Sequence, residues 1–200
     1  SNEVSKKSVD SFKTVEGRFK EIRFNRSRDQ NYQLISGAIK KNDINKLNSA
    51  CLKFKELYSK LVDSNIFSRS TDYKLLFEGC FPLNPLSTFT LINISEKVAQ
   101  NERTLFTFIS DTEENSLNSF IRKNSSGLRN RDSIYDYFSP LMHNDDDKDI
   151  HDIWVRAEAV LSVISDQLER KIIKSLAVIR MINDYAKLSP NADNIALALV

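Results

Sequence analysis

Glycine and proline are scarce in this 200-residue chain, four of each, where average usage would give roughly 14 and roughly 10. A β-sandwich or barrel spends both residues on its turns, so the shortage argues against those folds. The glycines Gly17, Gly37, Gly79 and Gly127 lie far apart. Neither a Walker A loop nor a dinucleotide-binding Gly-rich turn can therefore be written, and the chain has no phosphate-cradling loop of its own. Cysteine is almost absent. Cys51 and Cys80, with only His143 and His151 to help, make neither a disulfide framework nor a zinc site. No apolar run approaches the ~18 residues of a membrane span, and no signal peptide is visible. No sign of charge prevails: 29 basic residues face 27 acidic ones, so no bulk attraction to nucleic acid or membrane is expected. Free thiols and the missing signal peptide point to the cytoplasm.

What remains is a globular composition, 40% hydrophobic and 28% charged, with helical periodicity over most of its length. The expected fold class is all-α, a multi-helical array with one short N-terminal β-strand at Lys20–Phe24, where charge alternates with bulk. Ser27 and Gln30 fit a capping box, and Tyr32, Ile35, Ala38 and Ile39 then share one helical face, with Asn42 placed to end it. Asp43 can cap a second helix, along which Ile44, Leu47, Cys51, Phe54, Tyr58 and Leu61 form an amphipathic stripe. Within that stripe Cys51 reads as a packed core thiol. A short helix over 72–78 is predicted to stop at Gly79 as a C′ glycine. Phe81-Pro82-Leu83-Asn84-Pro85 is a rigid connector, because two prolines exclude regular helix there.

Residues 86–100 read as a buried helix. A polar interruption at Gln100–Arg103 precedes the apolar positions Leu105, Phe106, Phe108 and Ile109. Further helices are expected over 113–123 and 133–138, the latter stopped by Pro140, with a polar loop at 124–131. The longest element is expected to run from Ile150 to Lys187, with a bend at Gln167–Lys171 and an apolar stripe from Ile153 to Ile182 that includes Val160 and Leu168. Ser189-Pro190 ends it, and a new helix starts near Asp193. Both ends of the chain read as cut: it opens on Ser1-Asn2 without methionine and stops in the apolar run Ile195–Val200. The expectation is an excised piece of a longer protein, whose final residues are frayed or packed on a neighbouring copy.

Candidate chemistry is thin. Asp145, Asp147 and Asp149 have the 1, 3, 5 spacing of a calcium loop, but Ile150 stands where glycine is needed and Arg156 where the bidentate glutamate belongs. The cluster reads as an acidic loop at the positive end of the following helix, with weak divalent binding as the alternative. His151 reads as exposed or capping, no nucleophile elbow exists, and no catalytic residue or metal ligand is assigned. Basic residues gather at Arg18, Lys20, Arg23, Arg26 and Arg28 and again at Arg122, Lys123, Arg129 and Arg131. Either group is a solvated face or a contact for phosphates.

Two stretches carry a family resemblance. Gly17-Arg18-Phe19-Lys20-Glu21-Ile22-Arg23-Phe24 resembles the last core strand of an AAA+ ATPase, which leads into its helical lid. Phe81-Pro82-Leu83-Asn84-Pro85-Leu86 and Ile94–Phe106 resemble a region of large bacterial P-loop ATPases of the phage-defence (BREX-like) and AAA+/STAND groups. Asn84 departs from a His-Pro-Leu pattern expected in those proteins. The resemblance covers roughly residues 15–110. It implies an ATPase core ending at residue 25, a helical lid-like domain over 26–140, and a long-helix region over 141–200 that begins a further module. It also implies Walker A and B segments upstream, ATP and Mg as cofactors of the intact parent, and the rest of that parent as partner, with a homo-oligomer in view. Arg103, with Arg18 and Asn101, would sense nucleotide, Arg103 by holding a γ-phosphate oxygen; alternatively Arg103 pairs with Glu96 to fix an interhelical angle. The rival readings are an all-α protein-interaction scaffold and a nucleic-acid-binding helical module.

Overall fold

The computed structural model describes residues 27–41, 44–53, 59–61, 66–67, 74–98, 103–123 and 131–199. The expected strand, together with Arg18, Arg23, Arg26, Asn101 and Arg129, lies outside them, as do the side chains of Arg28, Cys51 and Arg103. Among the described residues no β-strand occurs, and the all-α class holds. The helices are α1 (Arg28–Ala38), α2 (Ile44–Lys53), a π-helical turn (Leu75–Gly79), α3 (Pro85–Val98), α4 (Arg103–Ser110), α5 (Leu117–Lys123), α6 (Arg131–His143), α7 (Lys148–Leu161), α8 (Gln167–Ile182) and α9 (Ala192–Ala198).

The capping box of α1 forms as its sequence predicts. Gln30 N–H donates to Ser27 Oγ at 3.3 Å, and Ser27 N–H donates to Gln30 Oε1 at 2.8 Å. Tyr32, Ile35 and Ile39 turn into the core, but Ala38 is exposed. The helix ends at Ala38 rather than Asn42, because Ile39 turns extended to reach the core.

Gly79 does not act as a left-handed C′ residue. It is the last residue of the π turn, which Cys80 N–H closes onto Leu75 O at 3.1 Å, and no described glycine has positive φ. What the position demands is space: a Cβ there would sit 2.8 Å from Ser36 Oγ and 3.1 Å from Leu75 Cδ1. The glycine lets the turn lie against α1.

Asn84 and Pro85 begin α3 together. The Asn84 side chain accepts from Leu86 N–H at 2.8 Å, and proline occupies the first helical position, where its missing donor costs nothing. Eleven of the fourteen residues of α3 are buried, which makes it the central helix. It packs against α4, α6, α8, α9 and the π turn. Two of its buried hydroxyls bond back to nearby carbonyls, Thr88 to Asn84 O and Ser95 to Ile92 O, whereas Ser87 Oγ and Thr90 Oγ1 find no partner among the described residues.

One apolar cluster runs from Tyr32 to Leu188. The boundary drawn between residues 140 and 141 falls inside α6, which carries Pro140 within its last turn. Losing one intrahelical bond to proline costs about 3 kcal/mol, but Phe138 and Met142 on either side are fully buried. Each large apolar side chain so buried contributes roughly 1.5–3 kcal/mol, so packing carries the helix through. On the same helix, Tyr137 and Phe138 meet Phe108 of α4 at ring distances of 4.9 and 6.2 Å. Phe106, expected in the core, is exposed.

The predicted long helix is two helices. α7 ends at Leu161 and α8 starts at Gln167, with Asp166 accepting from Glu169 N–H at 2.9 Å as N-cap. The Arg170 guanidinium holds the freed end of α7, donating to Leu161 O and to Ile164 O. The break therefore precedes Gln167–Lys171, and the supposed single stripe splits: Val160 and Leu168 are exposed while Ile179 and Ile182 are buried. Residues 113–116 form a turn, with Asn115 at φ 68°, so α5 starts four residues later than expected.

A buried arginine beneath the last helix as the candidate functional site

Arg131 is the polar residue that burial singles out. The sequence places it in a basic, solvent-facing loop, but it opens α6 with no exposed surface. A guanidinium removed from water cannot join a surface patch for nucleic acid, so that assignment is corrected. Arg122 is exposed in the last turn of α5. The buried guanidinium donates through Nη2 to Asn194 O of α9 at 2.6 Å. Among the described residues its Nε and Nη1 meet no acceptor. Burial pushes the group down to about 9, which leaves it charged at neutral pH. A cation in the first turn of a helix also faces the positive end of the helix dipole.

A second bond ties the same helix to the body. Asn84 Nδ2 donates to Leu197 O at 3.3 Å, so the residue that caps α3 also holds α9. Asn194 and Leu197 are three residues apart, about 4.5 Å along the helix axis. The starts of α3 and α6 thus converge on one turn of α9. The helix itself is only seven residues long, and Ile195 and Leu197 are partly buried against the core. Of the terminal run, Ile195 and Leu197 are thus partly docked, while Val200 lies outside the described residues. Asn191 caps α9 by accepting from Asn194 N–H at 2.8 Å.

An open groove of about 590 Å³ lies among α6, α7 and α8. Its polar walls are largely bonded to one another. Lys174 pairs with Asp136 at 2.6 Å, Tyr135 donates to Glu158 Oε1 at 2.8 Å, and Trp154 Nε1 donates to Ser139 Oγ at 2.8 Å. Burial, then the bond to Glu158, pushes the Tyr135 hydroxyl well above the ordinary phenol value. His143 packs edge-on to Trp154 at 4.6 Å, with His151 at 6.2 Å from His143. In the acidic loop, Asp145 accepts from Asp147 N–H and Asp147 caps α7 by accepting from Asp149 N–H, both at 2.9 Å. Capping, not His151, satisfies that helix start. Among the described residues no group of three or more His, Cys, Asp and Glu side chains is placed to hold a metal. No described helix is long and apolar enough to cross a membrane.

Cys80 is the other buried reactive group. Its thiol lies 3.6 Å from Tyr32 O, and burial pushes it up to about 12. It is a core thiol, not a nucleophile.

The fold and this site define an all-helical domain in which Asn84 and Arg131 bond to carbonyls of the last helix. The chain belongs to the DUF6079 second-domain family, whose model matches residues 41–198. No curated protein and no solved structure matches it.

Proposed function

We propose that this domain is the helical lid and adjoining region of a cytoplasmic P-loop ATPase, passing nucleotide state to neighbouring domains or subunits, in a phage-defence setting. The observation that carries the reading is the two-point tie of α9 to the starts of α3 and α6 by Asn84 and Arg131. Side-chain bonds to helix carbonyls are reversible, and they join segments more than sixty residues apart in the chain. Such a joint can pass a displacement of the last helix to the central one. The Gly17–Phe24 and Gln100–Phe106 sequences support the ATPase class by resemblance, and the family's description as a second domain fits a multidomain parent. ATP and Mg would be bound by the parent's Walker segments, and this chain alone is silent. The test is Arg103→Ala in the intact parent, read as ATP turnover and melting temperature. A sensor loses turnover while melting normally; a lowered melting temperature with unchanged turnover assigns Arg103 to structure. A parent with no ATP turnover overturns the reading altogether.

A second reading, a protein-interaction scaffold, rests on the tip of the α7–α8 hairpin. Val160, Val163 and Leu168 there are 40%, 80% and 57% exposed, more apolar surface than a solvated turn requires. A nucleic-acid module would use Arg122 with the other basic residues. Filter binding at two salt concentrations separates that option, because phosphate contacts impose a steep negative salt slope.

A further inference from the structure

We propose that Arg131 is the cationic half of an oxyanion site at the N-terminal end of α6, taking a carboxylate or phosphate group. Charge and hydrogen bonds are out of balance at this residue. A guanidinium carries five N–H donors, and one acceptor, Asn194 O, receives from this one. Among the described residues no carboxylate bonds to it. The segment that leads into α6, residues 124–130, contains no Asp or Glu. An unpaired ion held out of water costs several kcal/mol, and the start of α6 adds its own partial positive charge. Both features call for an anion at the same place.

The geometry leaves room in the bonding for one. Nη2 uses one hydrogen on Asn194 O, and its second hydrogen together with Nε–H or Nη1–H forms a two-pronged fork. That fork matches two oxygens of a carboxylate or phosphate. The short α9 adjoins this site, tied to it through Asn194 O and to Asn84 through Leu197 O. The inference stands on burial and unmet donors, and it does not depend on the ATPase reading.

The experiment uses the 200-residue chain in a chloride buffer at constant ionic strength. Melting temperature is followed while chloride is exchanged for formate or for inorganic phosphate. A site of this kind gives a saturable rise, and the anion that saturates first identifies the chemistry. Arg131→Met removes the fork at similar volume and should abolish the rise. As a measurement independent of any variant, the wild type should broaden the phosphate 31P line, or give saturation transfer to formate, reversibly on competition with the other anion. No saturable response to either anion, or an equal response in Arg131→Met, overturns the proposal.

Discussion

Replacing Arg131 by methionine tests whether this domain buries a charge without compensation. In phosphate-free buffer the substitution removes one hydrogen bond from a charged donor, worth about 1.5–3 kcal/mol, and leaves Asn194 O to its helix. Against this it removes a desolvation penalty of several kcal/mol, for which the described residues supply no counter-charge. Replacing buried ions by apolar side chains of similar volume is often neutral or stabilising by 1–4 kcal/mol. A domain of this size shifts by roughly 2–4 °C per kcal/mol. The expected outcome is therefore a melting temperature that is unchanged or higher by several degrees. The pH dependence gives a second sign. The folded guanidinium is pushed down to about 9 by burial, below its unfolded value, so above about pH 9 the unfolded state binds more protons. Wild type should gain stability relative to Arg131→Met as pH climbs through that window. Thermal melting by circular dichroism at a series of pH values reads both effects. A fall of about 10 °C or more at neutral pH would refute the reasoning, because breaking a compensated buried pair costs 3–5 kcal/mol.

Gly79→Ala should destabilise by about 1–3 kcal/mol in urea unfolding, since the new methyl presses on Ser36 and Leu75; Ser36→Gly should restore part of the loss. Tyr135→Phe should flatten the alkaline loss of stability. The folded phenol keeps its proton where the unfolded one ionises, near pH ~10, so wild-type stability falls as pH climbs through that region. In a Cys51→Ser background, Cys80 should resist alkylation in the native state and react only as fast as the chain opens. Alkylation at the rate of a free thiol would place Cys80 at the surface.

Periodicity and capping chemistry made much of the helix content legible without coordinates. Ser27 with Gln30 and Pro190 ahead of α9 are local signals that mark helix boundaries, whereas Asn84 ahead of Pro85 is a cap signal hidden in what reads as a rigid connector. The break before α8 had such a signal as well: Asp166, three residues before Glu169, is an N-cap spacing, and the continuous three-and-four stripe masked it. Pro140 shows the reverse. Its local rule is to stop a helix, and the burial of Phe138 and Met142 by distant elements overrode that rule.

What the chain determines by itself is where hydrogen-bonded turns are favoured and which faces are apolar, because both depend on neighbours within about four residues. Burial of a polar side chain depends on elements far away in sequence. Arg131 stands among polar residues in a stretch that reads as a loop, and nothing local distinguishes it from Arg122. Tertiary packing, with a bond to Asn194 O sixty-three residues further on, removes it from water and turns its charge from a surface feature into an unmet demand for an anion.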